Sequence, residues 1–166
     1  MRSFVHWVRS LEFVVRGAHA MRNGDDDGVI RNYTRAIEWS PEDLDNYYAR
    51  GNAHWHKHEL RLAADDFSRA LELNPNDVQG HYLRGALYHE RGYLAQAIMD
   101  LNHVIEIENG PSQAYFLRGC CHFERKDYDK AIVDVEEVLR REPRHRQALA
   151  LREKCAHQVT EANAGG

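Results

Sequence analysis

The strongest constraint on the fold is a glycine that returns at a strict interval. Gly17, Gly51, Gly85 and Gly119 are separated by 34 residues each time, and an arginine directly precedes each of them. Small, apolar and helix-ending residue types recur in the same register after each glycine. A fixed period of this length is typical of a repeat protein, in which each unit packs only on its neighbours. We therefore divide most of the chain into four units, at residues 10–43, 44–77, 78–111 and 112–145.

Within each unit the apolar residues predict two helices joined by a short turn. In the second unit Tyr47, Gly51 and Trp55 follow a helical spacing, and Ala63 and Phe67 do so further on. Glycine and alanine are small enough to let two antiparallel helices approach closely, while an aromatic side chain fills the adjacent gap. A proline then ends the second helix in three of the four units.

The period and the pattern resemble the tetratricopeptide repeat over residues 10–145. The resemblance implies an all-α, right-handed α-solenoid of helix-turn-helix units with a concave, ligand-binding inner face. Three positions depart from the pattern: Val29 replaces a small alanine, Asp26 stands where the turn usually places an aromatic residue or leucine, and Asn109-Gly110-Pro111 replaces the usual proline. From these departures we expect looser packing in the first unit and a different bend at the third junction.

The sequences outside the four units predict a cap at one end and an apolar stripe at the other. Residues 146–160 begin like a further first helix but carry Glu153 in place of the glycine, so they predict a capping helix, followed by a tail at residues 161–166. Residues 1–9 extend the first helix, and an apolar stripe runs from this extension into the first unit: Phe4, Trp7, Val8 and Leu11. This stripe either folds onto the second helix of its own unit or forms a surface for self-association.

The arginine before each glycine has an aspartate partner fifteen residues after the glycine in three units. We interpret these pairs as structural supports within the repeats: Arg50 with Asp66, Arg84 with Asp100, and Arg118 with Asp134. A row of phosphate-binding arginines is the alternative.

The resemblance implies that the first helices line the inner groove. Counting from each glycine selects a lining unusually rich in aromatic rings: Val14, Met21, Tyr48, Asn52, Trp55, His56, Tyr82, His89, Glu90, Phe116, Cys120, Phe123 and Glu124. Rings supply a large contact area at small entropic cost, which suits an extended or helical peptide with apolar side chains, and Asn52 could bond its backbone. The alternative is that several rings, above all Phe116 and Phe123, pack against the adjacent repeat.

Some proteins with this repeat grip the acidic C-terminus of heat-shock chaperones through a clamp of lysines, asparagines and an arginine. The corresponding positions here hold Val14, Ala18, Ala49, Gln79 and Leu83. Without cationic donors a terminal carboxylate would lack charge-assisted hydrogen bonds, so we do not expect this class of partner.

The composition argues against several other classes of function. The chain has 22 basic and 26 acidic residues and a net charge of -4, which predicts no nucleic-acid or acidic-membrane surface. No apolar run approaches the roughly 18 residues of a membrane span, and His6 and Arg9 interrupt the only candidate signal sequence. Three cysteines, two of them adjacent, do not suggest a disulfide framework and favour a cytoplasmic location.

Eleven histidines raise the question of a metal site. His54 and His58 would share one face of a helix, but no third ligand is placed to complete a site; convergence of His56, His89 and Cys120 is the remaining alternative. No catalytic constellation or cofactor motif is present. We expect no metal, no cofactor and no enzymatic activity. The sequence predicts an adaptor that binds a protein segment in its groove, with a self-assembling structural protein as the alternative.

Overall fold

The computed structural model describes residues 2–108 and 110–164, with side chains described for 6–107 and 110–161. The side chain of Phe4 and residues 109, 165 and 166 lie outside these ranges. All regular structure in the described ranges is α-helical: α1 (Arg2–Arg22), α2 (Asp26–Trp39), α3 (Leu44–His56), α4 (Leu60–Leu73), α5 (Val78–Glu90), α6 (Leu94–Glu108), α7 (Ser112–Glu124), α8 (Tyr128–Arg141) and α9 (Arg146–Ala164).

The turn between the two helices of each repeat has one residue in the left-handed region of backbone conformation. Glycine occupies this position in the first and third repeats, with φ of 68° at Gly24 and 73° at Gly92. His58 and Lys126 take the same place in the second and fourth repeats, with φ of 56° and 66°. A left-handed L-residue costs about 1–2 kcal/mol. The packing of the two helices therefore imposes the turn even where no glycine is present.

The chain divides into two compact units, Met1–Gly80 and His81–Gly166. From here on, the first unit and the second unit are these two parts, and the 34-residue segments are called repeats. A core cluster of the first unit contains Ala20, Val29, Tyr33, Ala36 and Ala53. We expect looser packing at Val29 from the sequence, yet this side chain is only 1% exposed and forms part of that core.

The core of the second unit joins α8 to α9. Ala131, Val135 and Val138 of α8 pack with Leu151 and Cys155 of α9, so α9 covers the last repeat as a capping helix does. The helix continues to Ala164, whereas the sequence predicts an end at residue 160. The first four residues of the expected tail are therefore helical.

The repeated glycine is needed most where it faces an aromatic ring. A Cβ atom added to Gly51 would lie 2.7 Å from Cε1 of Phe67, a side chain that is completely buried. At Gly119 the nearest side-chain atoms, on Asp134 and Val135, would be 3.4 Å away, which is ordinary van der Waals contact. The same sequence position is thus sterically closed in the second repeat and open in the fourth.

This difference predicts opposite results for two matched substitutions. Gly51→Ala should destabilise the protein by about 1–3 kcal/mol, because the Phe67 ring must shift within a filled core. Gly119→Ala should be neutral or stabilise by up to about 1 kcal/mol, because alanine favours the helix and meets no clash. Urea unfolding followed by circular dichroism measures both, and equal losses of stability would contradict the steric argument.

The three predicted arginine–aspartate pairs are present and bidentate. Arg118 Nε lies 2.9 Å from Asp134 Oδ2 and its Nη2 lies 2.6 Å from Oδ1. The pairs Arg50–Asp66 and Arg84–Asp100 have the same geometry, with distances of 2.6–3.0 Å. The structural interpretation of the arginine row is therefore confirmed for these three residues.

The same arginines also reach back to the preceding repeat. Arg118 Nη1 donates to Asn102 Oδ1 at 2.6 Å within the second unit, and Arg50 Nη1 donates to Thr34 Oγ1 at 3.1 Å within the first. Each of these two guanidinium groups joins the two helices of its own repeat and the second helix of the one before.

Loss of this arginine should leave a buried carboxylate without a counter-charge. The Asp134 side chain is only 3% exposed, so Arg118→Ala should cost about 3–5 kcal/mol of folding free energy. Arg16→Ala is the matched control, because Arg16 stands at the same repeat position but is 61% exposed and pairs with an exposed carboxylate, that of Glu12. We expect less than about 1 kcal/mol there. Similar shifts of the urea midpoint in both variants would show that the buried pairs do not support the fold.

Candidate functional site

A cavity of about 320 Å³ lies in the first unit where α1, α2 and α3 meet. Its lining includes Met21 from the last turn of α1, Asn52 from α3 and His56 from the end of α3. These three residues are predicted groove residues, and the structure brings them together. The remaining lining is supplied by Asp26, Val29, Ala49 and Ala53.

The floor of this cavity is apolar and its rim is polar. Val29 and Ala53 are buried in the core of the first unit, so they supply an apolar base. At the rim His56 Nδ1 lies 3.3 Å from Asp26 Oδ1. Close by, Lys57 Nζ donates to Asp27 Oδ1 at 2.5 Å, and this hydrogen bond lowers the pKa of the Asp27 carboxyl. The polar pairs link the end of α3 to the start of α2.

Asp26 is a site residue that counting from the glycines does not select. It enters the cavity because Asp25 caps α2, accepting a hydrogen bond from the Gly28 N–H at 2.8 Å, which places Asp26 in the first helical turn. The signal was in the sequence, since Asp26 is one of the three departures from the repeat pattern. Its significance could not be seen without the neighbouring His56.

Asn52 has the properties expected of a residue that binds a peptide backbone. Its side chain is half-buried and lines the cavity. Among the side chains that the structure describes, its carboxamide has no hydrogen-bond partner. Both its donor and its acceptor are therefore available at the cavity wall.

Three other predicted groove residues of the first unit are engaged in packing or hydrogen bonding within that unit. Tyr48 is only 4% exposed and its hydroxyl donates to the Asp77 carboxylate, and burial together with this bond raises the pKa of the phenol. The Trp55 ring packs edge-on against Phe67, with centroids 6.1 Å apart. Val14 is partly buried against the core. The Tyr48 ring is buried and its hydroxyl is bonded to Asp77, while contact of Tyr48 with a partner stays a prediction.

In the second unit the predicted rings are also engaged in packing. Phe116, Cys120 and Phe123 pack against the core cluster formed by α8 and α9. The Phe116 ring lies 5.1 Å from that of His145, and the Phe123 ring lies 5.6 Å from that of Tyr128. The alternative reading of Phe116 and Phe123, packing rather than partner contact, matches these positions. Burial raises the pKa of the Cys120 thiol to about 11, which keeps it protonated at neutral pH.

The remaining predicted residues of the second unit are more polar and more accessible. His89 Nε2 lies 2.8 Å from Glu124 Oε1, so this pair joins the ends of α5 and α7. Glu90 is exposed and Tyr82 is half-buried, and burial raises the pKa of the Tyr82 phenol. These residues form a polar edge rather than an aromatic wall.

The histidines do not have the arrangement that a shared helix face would give. Helix α3 ends at His56, and His58 lies in the following left-handed turn, so the expected pairing of His54 with His58 on one face is wrong. His54 Nδ1 instead lies 2.6 Å from Glu59 Oε2. In the described part of the chain, no three histidine, cysteine or acidic side chains are grouped as metal ligands would be.

Comparison with solved structures shows the class of fold. The chain is similar to a MamA crystal structure (TM-score 0.80, 19% identity), with 93% of this chain and 90% of that one covered. It is also similar to a tetratricopeptide repeat protein from Parabacteroides merdae (TM-score 0.82, 20% identity; 92% of this chain and 62% of that one). A third relative is the first TPR of Spaghetti (RPAP3) bound to an HSP90 peptide (TM-score 0.68, 21% identity; 70% and 93% covered). The fold is an all-α solenoid of helical repeats.

The sequence itself places the chain in a family. Models of the tetratricopeptide repeat match residues 45–77, 67–99 and 112–145, so the chain belongs to the tetratricopeptide repeat family. No curated protein matches it in sequence. Membership of this family supports a role in protein interaction in general, and its members are generally non-catalytic. Within the described residues no helix is both long and apolar enough to cross a membrane.

Proposed function

We propose that the protein is a non-catalytic adaptor that binds a peptide or helical segment of a protein partner, with the cavity of the first unit as its principal site. The observation that supports this proposal is the free carboxamide of Asn52 beside the apolar floor formed by Val29 and Ala53. The volume of about 320 Å³ falls within the range of small-ligand sites and suits one apolar side chain.

Different residues of this cavity would contact different parts of the partner. The apolar floor would take an aliphatic or aromatic side chain of the partner, while Asn52 bonds the adjacent peptide group. Met21 is about half exposed at the cavity mouth, and its flexible thioether can adapt to different side chains. The pair formed by His56 and Asp26 would hold the polar rim in place.

The second unit would contribute a separate, polar contact. Glu90 and Glu124 are exposed and acidic, and His89 is already paired with Glu124. We propose that a partner segment meeting this edge carries basic side chains, because the exposed Glu124 carboxylate attracts cations and repels anions.

We further propose that the partner is not the acidic C-terminus of a chaperone, although one structural relative is bound to an HSP90 peptide. The cavity wall here holds Ala49, and the other clamp positions hold Val14, Ala18, Gln79 and Leu83. These side chains cannot give charge-assisted hydrogen bonds to a carboxylate. The net charge of -4 likewise disfavours nucleic acid, and three free cysteines fit the cytoplasm.

Substitution of the cavity residues tests the adaptor proposal. Peptides selected from a random library on the wild-type protein should bind Met21→Ala/Asn52→Ala at least about tenfold more weakly, because both the cavity mouth and the backbone contact are lost. Calorimetric titration gives the affinities. Gln147→Ala, an exposed change on α9, is the control and should bind as wild type. Selected peptides that bind a folded double variant with undiminished affinity would rule out this cavity as the site.

Self-association is a second candidate function, and one observation favours it. Trp7, Val8 and Leu11 are 58%, 44% and 44% exposed, so about half of the surface of these stripe side chains faces solvent. A partly exposed apolar stripe on a helix is a surface on which a second copy can pack.

Light scattering over a concentration series tests this second candidate. The wild-type mass should rise above that of a monomer, and Val8→Ser/Leu11→Ser should restore the monomer by removing apolar contact area. Val133→Ser is the control, since Val133 is 68% exposed on α8 and outside the stripe. A wild-type protein that remains monomeric throughout the series would eliminate the candidate.

A further inference from the structure

A second cavity of the first unit, about 540 Å³ in volume, has an unusual combination of wall and rim. It lies where the beginning of α1 meets the turn after α2. His6, Trp7 and Trp39 supply aromatic walls, and Glu42 and Asp43 supply carboxylates. It shares no residue with the cavity around Asn52.

The aromatic walls present ring faces in different directions. The rings of His6 and Trp39 have centroids 5.3 Å apart and an interplanar angle of 76°, so they form a corner. The Trp7 indole lines the same cavity and is 58% exposed. The face of an indole carries the negative part of its quadrupole and attracts a cation within about 6 Å of the ring centroid.

The carboxylates at the rim are not paired with any cationic side chain that the structure describes. Within the described residues neither Glu42 nor Asp43 forms an ion pair. By contrast, Glu38 pairs with Arg35 at 2.9 Å on the exposed side of α2. Asp43 is the N-cap of α3 and accepts a hydrogen bond from the Asp45 N–H at 3.2 Å, whereas Glu42 is exposed at the rim. The cavity is therefore electronegative from both its walls and its rim.

The walls are held in place before any ligand arrives. The Tyr47 hydroxyl donates to the Pro41 carbonyl at 2.9 Å and fixes the turn that carries the carboxylates. Ser10 is buried and its hydroxyl donates to the Ala36 carbonyl at 3.3 Å, which ties α1 to α2. A site that is already ordered loses less entropy when it binds.

The repeat scaffold does not require a tryptophan at position 39. The equivalent positions of the second and fourth repeats hold Leu73 and Arg141, and both of these repeats form complete helix pairs. Trp39 is thus specific to the first repeat, as are the two acidic residues in succession at Glu42 and Asp43. The features that make the cavity attractive to a cation are those that the fold itself does not need.

We propose that this cavity binds a cationic side chain of a protein partner, either a lysine ammonium, including its N-methylated forms, or an arginine guanidinium. The ring faces would contact the cation and its aliphatic stem, while Glu42 and Asp43 balance its charge. This site differs from the cavity around Asn52, because it recognises a charged side chain rather than an apolar one. The two proposals are independent of each other.

Tryptophan fluorescence gives a direct test with defined probes. In a Trp55→Phe background, emission arises from the two cavity tryptophans, Trp7 and Trp39. The amides of Nα-acetyl-arginine, Nα-acetyl-lysine and its Nε-trimethyl form are the probes, and the amides of Nα-acetyl-citrulline and Nα-acetyl-norleucine are the uncharged analogues. We expect a saturable change with one or more of the cations, at least about fivefold weaker binding of the matching neutral analogue, and weaker binding at high salt.

Variants separate the cavity from its surroundings. Glu42→Gln and Trp39→Leu should each weaken cation binding about fivefold or more. Because Glu42 is exposed, Glu42→Gln should still fold and can test the proposal even if Trp39→Leu unfolds. Glu38→Gln, whose carboxylate is paired outside the cavity, is the matched control and should bind as wild type. Val8→Ser/Leu11→Ser should also bind as wild type, which distinguishes cation binding from self-association.

Three results would overturn the proposal. The first is no saturable response to any of the cations, and the second is equal binding of every responding cation and its matching neutral analogue. The third is unchanged cation binding in both Glu42→Gln and Trp39→Leu. If Glu42→Gln instead abolished a dimer without changing cation binding, a second copy of the chain would be the occupant, and the proposal would again be wrong.

Discussion

The fold depends on a buried carboxylate that must meet a guanidinium. Asp66, Asp100 and Asp134 lie in the interiors of their repeats, and such a charge is tolerated only when it is paired and fully hydrogen-bonded. The partner arginine stands directly before the glycine that lets the helices approach, so the spacing between the two helices and the charge pairing are set by neighbouring residues. Where the arginine also reaches the preceding repeat, the same guanidinium group joins successive repeats within one unit.

The first repeat lacks this pair, and both candidate cavities include residues of this repeat. Asn32 replaces the aspartate and bonds the Gly28 carbonyl instead, while Arg16 remains on the surface beside Glu12. Both cavities of the first unit use residues at which this repeat differs from its siblings, notably Asp26 and Trp39. Residues shared by all repeats build the scaffold, and the departures from the pattern create surfaces that a partner can recognise.

The sequence predicted the contacts between residues at fixed repeat positions, but it did not indicate which groove side chains pack within the protein. The glycine and the arginine–aspartate pairs are predictable, because the two helices of each repeat pack in the same register and bring the same positions together. Tyr48 and Phe116 stand at groove positions, yet a long side chain can turn towards Asp77 or pack beside His145 from the same backbone position. The expectation that His58 lies on the helix overlooked the glycines at the equivalent positions of the first and third repeats, Gly24 and Gly92, which indicate a left-handed turn there.

The amino-acid sequence by itself determined the period, the helix pairs, the buried ion pairs and the family, because each of these depends on short-range spacing that repeats along one chain. Only the tertiary structure decided which candidate side chains remain available. His56 contacts Asp26, and Trp7 lines the same cavity as Trp39. In both cases the packing of separate helices brings together residues that are far apart in sequence. A repeating pattern specifies how helices pack, but the cavities between them depend on the volumes of the side chains that break the pattern.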